Sequence, residues 1–112
     1  MGKRPSFIEV TTERLRFLQD EQGFAGPEIE RPGEGIPSIA RVGYHRDELT
    51  IEVSHVVGFM GENYVETRCR HKDGHSQGNW MELGNNTTRS GYQLRRALDL
   101  QAGAIRSHLG LK

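Results

Sequence analysis

Leu49-Thr50-Ile51-Glu52-Val53-Ser54 decides how this chain reads, because its apolar residues fall on every second position. Successive strand side chains point to opposite faces, so one face of this segment is buried and the other wet. Upstream, Ile39-Ala40-Arg41-Val42-Gly43-Tyr44 runs into His45-Arg46-Asp47-Glu48, a polar stretch of the length that closes a hairpin onto Leu49. It contains neither Asn-Gly nor Asp-Gly, so the turn type stays open. Downstream, Gly58-Phe59-Met60-Gly61-Glu62-Asn63 reads as a glycine-bracketed loop. Alternation then returns, with Val65, Thr67 and Cys69 on one side and Glu66, Arg68 and Arg70 on the other. Residues 39–71 are thus expected to form an antiparallel meander with a charged outer face, on which Glu52 sits opposite an arginine.

The flanks supply helices. Pro5 at the entry, the capping-box spacing of Ser6 and Glu9, and a stripe of Ile8, Leu15 and Leu18 widened by Phe17 predict a helix over 6–22, stopped by Gly23. A strand at 7–10 with a shorter helix is the alternative. Glu28-Ile29-Glu30 reads as a short edge strand or an extended arm in a proline-rich segment, and 71–79 as a polar, glycine-punctuated loop or wide turn. Trp80-Met81-Glu82-Leu83 reads as the last strand, closed by Gly84 and an Asn-Asn-Thr-Thr turn. Leu94, Leu98, Ile105 and Leu109, interleaved with Ala97, Ala102 and Ala104, predict a second helix over 91–109. The expected fold is a single α+β domain over 1–112. One antiparallel sheet of four to five strands carries an N-terminal and a C-terminal helix on one face. Ile8, Leu15, Leu18, Val42, Ile51, Val53, Val65, Leu94, Leu98 and Ile105 form the expected core.

Composition narrows the function. A chain of 112 residues supports one core. Lys+Arg and Asp+Glu balance at 15 each, which removes the bulk attraction behind non-specific nucleic-acid binding. No apolar run reaches the ~20 residues of a spanning helix, and the first residues lack the apolar core of a secretion signal. The single Cys69 rules out an internal disulfide and fits a reducing compartment, so the expected location is the cytoplasm. The opening Met-Gly-Lys-Arg-Pro-Ser fits a myristoylation pattern too short to carry an argument, and Asn85-Asn86-Thr87 and Asn86-Thr87-Thr88 match a glycosylation sequon that is idle in a chain expected never to meet the secretory pathway.

Candidate chemistry is sparse. Cys69-Arg70-His71-Lys72-Asp73-Gly74-His75 is the densest group of metal-capable residues, and alternation puts Cys69 and His71 on one face. With His75 that makes three local ligands of zinc type, His45 or His55 being a distant fourth, at a spacing that matches no standard zinc pair. Cys69 also shares the inward pattern of Val65 and Thr67, so a core cysteine with surface histidines is the preferred reading, with no cofactor. A nucleophilic Cys69 served by His71 or His55 and Asp73 would need an exposed, electropositive thiol, which nothing in the sequence supplies.

Two large apolar residues between glycines, Phe59 and Met60, are unlike an ordinary polar turn. With Glu62, Tyr64 and Trp80 they are the candidate partner-binding residues. Arg41, Arg68 and Arg70 offer an alternative nucleic-acid-binding face, weakened by the glutamates among them. The succession of Leu15-Arg16-Phe17-Leu18, Gln22-Gly23-Phe24, Val42-Gly43-Tyr44, Leu49-Thr50-Ile51-Glu52-Val53 and the closing helix resembles small uncharacterised bacterial α+β proteins, some of them similar to immunity proteins of toxin systems. That resemblance brings no catalytic residues and implies a binding role. The expected function is therefore a non-catalytic protein-binding domain of inhibitor or immunity type, with a protein partner. A nucleic-acid-binding module and a small metal-dependent enzyme are the alternatives.

Overall fold

Ser6 opens the first helix, its hydroxyl accepting the Glu9 N–H at 3.1 Å, so the capping reading holds and no strand forms at 7–10. The computed structural model describes residues 6–73, 76–88 and 90–111. The single helix expected over 6–22 is two, α1 (Phe7–Arg14) and α2 (Arg16–Asp20), broken at Leu15 with φ −102° and ψ 11°. Leu15 and Phe17 stand roughly 200° apart around an ideal helix, and one straight stripe cannot bury both. The break does, leaving Leu15, Phe17 and Leu18 all in the core. The α1 stripe centres on Phe7, Val10 and Thr11, which corrects Ile8: it lies on the flank of that stripe, half-buried against the core.

Among the described residues six strands follow: β1 (Ala25–Glu30), β2 (Ser38–Arg46), β3 (Leu49–Val57), β4 (Asn63–Asp73), β5 (Ser76–Gln77) and β6 (Met81–Thr87). They form an antiparallel meander in the order β1-β2-β3-β4, with β6 on the free side of β4 and the two-residue β5 pairing the end of β4. The β2–β3 turn is shorter than expected. Arg46 pairs with Leu49, so only Asp47 and Glu48 turn the chain, Asp47 in the left-handed region at φ 51°. Two further boundaries are corrected. Residues 71–73 are strand, because Lys72 N–H donates to the Glu48 carbonyl at 2.7 Å and His71 pairs with Leu49. Likewise Gly84, Asn85, Asn86 and Thr87 continue β6, pairing with β4 past a bulge where the register shifts.

The last helix, α3 (Gly91–His108), begins at Ser90, whose hydroxyl accepts the Gln93 N–H at 3.2 Å. It packs on β6, β4 and α1, while α1 covers β2, so the helices lie on one sheet face. Between the layers Val42, Tyr44, Ile51, Val53, Val65 and Cys69 meet Leu18, Leu98 and Ile105. Polar groups are buried there as well, Gln101 the largest of them. Gln101 donates to the Val65 carbonyl at 2.7 Å and to Asn86 Oδ1 at 2.9 Å, and accepts from the Thr67 hydroxyl at 2.5 Å. It lies against Gly84, where a Cβ would come within 2.9 Å of Gln101 Cγ. No helix is long and apolar enough to cross a membrane, among the described residues.

Candidate functional site

The β3–β4 connection is the most exposed apolar feature. Its ends are closed by Gly58 N–H donating to the Glu62 carbonyl at 2.9 Å, and its interior by Met60 N–H donating to Glu62 Oε2 at 2.9 Å. Gly61 takes the positive φ of 84° that the turn requires. The Glu62 carboxylate lies across Gly58, where a Cβ would stand 2.1 Å from Oε2. With its backbone braced, the tip projects Phe59 and Met60 outward at 76 % and 87 % exposure. Register puts the 31–37 loop at the same end of the sheet, since Ser38 pairs with Val57 just before the tip. Ile36 in that loop is also exposed, and the sequence reading missed it; an isoleucine between Gly35 and Pro37 was the available signal. Beside these loops a cleft of about 340 Å³ is lined by Phe7, Ala40, His55 and Val57 among others.

The other candidate partner residues divide. Glu62 braces the tip and Tyr64 follows it on β4. Trp80 is at the opposite end of the sheet, with the Arg68 and Arg70 guanidiniums 4.5 and 4.6 Å from its ring centroid. The six steps along the strand from Tyr64 to Arg70 span roughly 20 Å, so Trp80 does not share a patch with Phe59 and Met60.

On the uncovered face the arginines are engaged. Arg41 bridges Glu30 at 2.7 Å and Glu52 at 3.5 Å, and Arg68 reaches the same Glu52 at 2.8 Å, realising the expected cross-strand pair. His45 stands 3.2 Å from Glu28 and 3.1 Å from the Thr50 hydroxyl. These partly exposed pairs add little stability each, yet they neutralise the face locally. Family models, curated proteins and solved structures gave no match.

At the far end of the covered face, Cys69, His71 and His108 place their ligand atoms within 4.8 Å of one another. Cys69 Sγ is 3.6 Å from His108 Nε2, and His71 Nε2 is 3.4 Å from the same nitrogen. Cys69 is buried, His108 half-buried and His71 exposed. Neither proposed fourth histidine is near. His45 is on the other face, while His55 pairs with Val65, four residues along β4 from Cys69, and contacts Asn63 and Phe7. His75 and the side chain of Asp73 lie outside the described residues. His108, from the last turn of α3, was not anticipated. Burial pushes the Cys69 thiol pKa up, the opposite of what an activated nucleophile needs.

Proposed function

We propose that this chain is a non-catalytic protein-binding domain of inhibitor or immunity type, working in the cytoplasm and docking through the tip of the β3–β4 hairpin. The observation that carries the reading is the outward projection of Phe59 and Met60 from a backbone braced by Glu62. A braced turn loses little further conformational freedom on docking, and large apolar anchors entering a pocket dominate interface energetics. Ile36 on the neighbouring loop widens the apolar surface toward the standard ~800 Å² per partner. The fitting partner is a protein that presents an apolar pocket. The nucleic-acid alternative is disfavoured because Arg41 and Arg68 are already paired with Glu30 and Glu52. A nucleophilic Cys69 is disfavoured because the thiol is buried and burial pushes its pKa up, away from activation.

The test is affinity purification from the native host with the wild-type chain and a Phe59→Ala/Met60→Ala variant. A protein partner should be recovered with the first and lost with the second, while thermal unfolding of the two stays nearly the same. Retention of the partner by the double variant would remove the hairpin from the reading. Recovery of RNA or DNA alone, with affinity that collapses in salt and depends on Arg41, Arg68 and Arg70, would replace it.

A further inference from the structure

The geometry points to a zinc site formed by Cys69, His71 and His108, at the end of the sheet opposite the hairpin tip and independent of it. Cys69 and His71 are two residues apart on β4 and so share the helix-covered face; His108 reaches them from the last turn of α3. A tetrahedral zinc ion with Zn–S of about 2.3 Å and Zn–N of about 2.0–2.1 Å holds a sulfur and a nitrogen about 3.6 Å apart and two nitrogens about 3.4 Å apart. The two separations at His108 Nε2, 3.6 Å to Cys69 Sγ and 3.4 Å to His71 Nε2, are those values.

Hydrogen bonding accounts for the cluster less well. An N···N separation of 3.4 Å is long beside the about 2.7–3.2 Å of N–H···O bonds. One ring nitrogen also offers either one hydrogen or one lone pair, yet His108 Nε2 is approached by two neighbours at once. A cation resolves this, because all three atoms then point lone pairs at one centre. Thiolate with two imidazoles is a borderline-soft donor set, which selects zinc over magnesium or calcium. On coordination the Cys69 S–H bond is replaced by S–Zn and the proton passes to solvent. The exposure of His71 leaves the fourth position to water or an external donor, the arrangement of three protein ligands plus an open site. The ion would clamp the C-terminal turn of α3 to the end of β4.

The experiment uses the full chain, stripped with a chelator and titrated with Zn(II), and with Co(II) as an absorbing substitute. One equivalent should bind. Co(II) should give the intense visible bands of tetrahedral coordination with a thiolate-to-metal transition, both abolished by added Zn(II), and zinc should raise the unfolding temperature. His108→Ala and His71→Ala should each weaken binding more than about 100-fold, since even residues one shell further out contribute 10–100-fold. Both are outside the fully buried core, so their metal-free forms should keep the wild-type fold by circular dichroism and lose only the zinc-dependent rise. Cys69→Ser should remove the thiolate transition. His45→Ala, on the other face, should bind as wild type. Absence of stoichiometric binding, full affinity in His108→Ala, or loss of affinity in His45→Ala would overturn the assignment.

Discussion

Tyr44 carries a hydroxyl into the core that finds no hydrogen-bond partner among the described residues, and burial pushes its pKa up to about 12 from an ordinary 10.0. The folded state therefore holds the phenol proton more tightly than the unfolded chain. Below pH 10 both states are protonated and stability is undiminished. Between 10 and 12 the unfolded chain ionises first, and stability falls by about 2–3 kcal/mol in all. Tyr44→Phe should abolish that alkaline loss in urea titrations at stepped pH and leave stability at pH 7 equal or slightly higher, because the unpaired hydroxyl is deleted. Gln101→Leu should do the reverse. It strands the Val65 carbonyl and the Thr67 hydroxyl, at about 2–4 kcal/mol by chemical denaturation. Both Gln101 and His108 continue the stripe through Leu98 and Ile105 at helical spacing, so their inward direction was legible in the sequence. Their partners were not. Thr67, Cys69 and His71 are more than 30 residues away, and local periodicity does not say where a helix crosses a sheet.

Where elements were written by periodicity, the reading succeeded; where pairing overrode composition, it did not. β2, β3 and β4 were legible because apolar residues alternate along them. The break at Leu15 was hidden, since capping signals mark where a helix starts and not how two bulky residues share one core. Asn85, Asn86 and Thr87 look like a turn, but an edge strand beside β4 and a bulge that re-aims Gly84 toward Gln101 hold them extended. At the hairpin, Gly58→Ala should drive the Glu62 carboxylate off the turn and free the Met60 N–H. We expect partner affinity to fall roughly 5-fold, the loss of about 1 kcal/mol of preorganisation, with the global unfolding midpoint hardly moved. Ser90→Ala should behave oppositely, costing about 1 kcal/mol of stability through the lost cap on α3 and leaving partner affinity unchanged in the same titration.

The sheet separates an apolar end, with Ile36, Phe59 and Met60, from a ligand-rich end, with Cys69, His71 and His108, in a molecule 44 Å in its longest dimension. β4 runs between them as a paired strand with neighbours on both sides. The two groups are well beyond the 7–10 Å over which substitutions usually couple. Partner affinity measured with and without zinc should therefore agree within about twofold, and a larger difference would mean that the ends communicate. The buried amide of Gln101 has a different kind of consequence. A helix whose inner stripe is partly alanine, as at Ala97 and Ala102, offers several rotations and axial shifts of similar apolar contact, because small side chains have little shape to interlock. Three polar atoms that must be met together at Gln101 leave one of them. The amide acts as a key, emptying the neighbouring arrangements more than deepening the occupied one. Without it, α3 should still collapse onto the sheet, but as a mixture of dockings, visible as broadened and doubled methyl resonances in a chain whose helix content is intact.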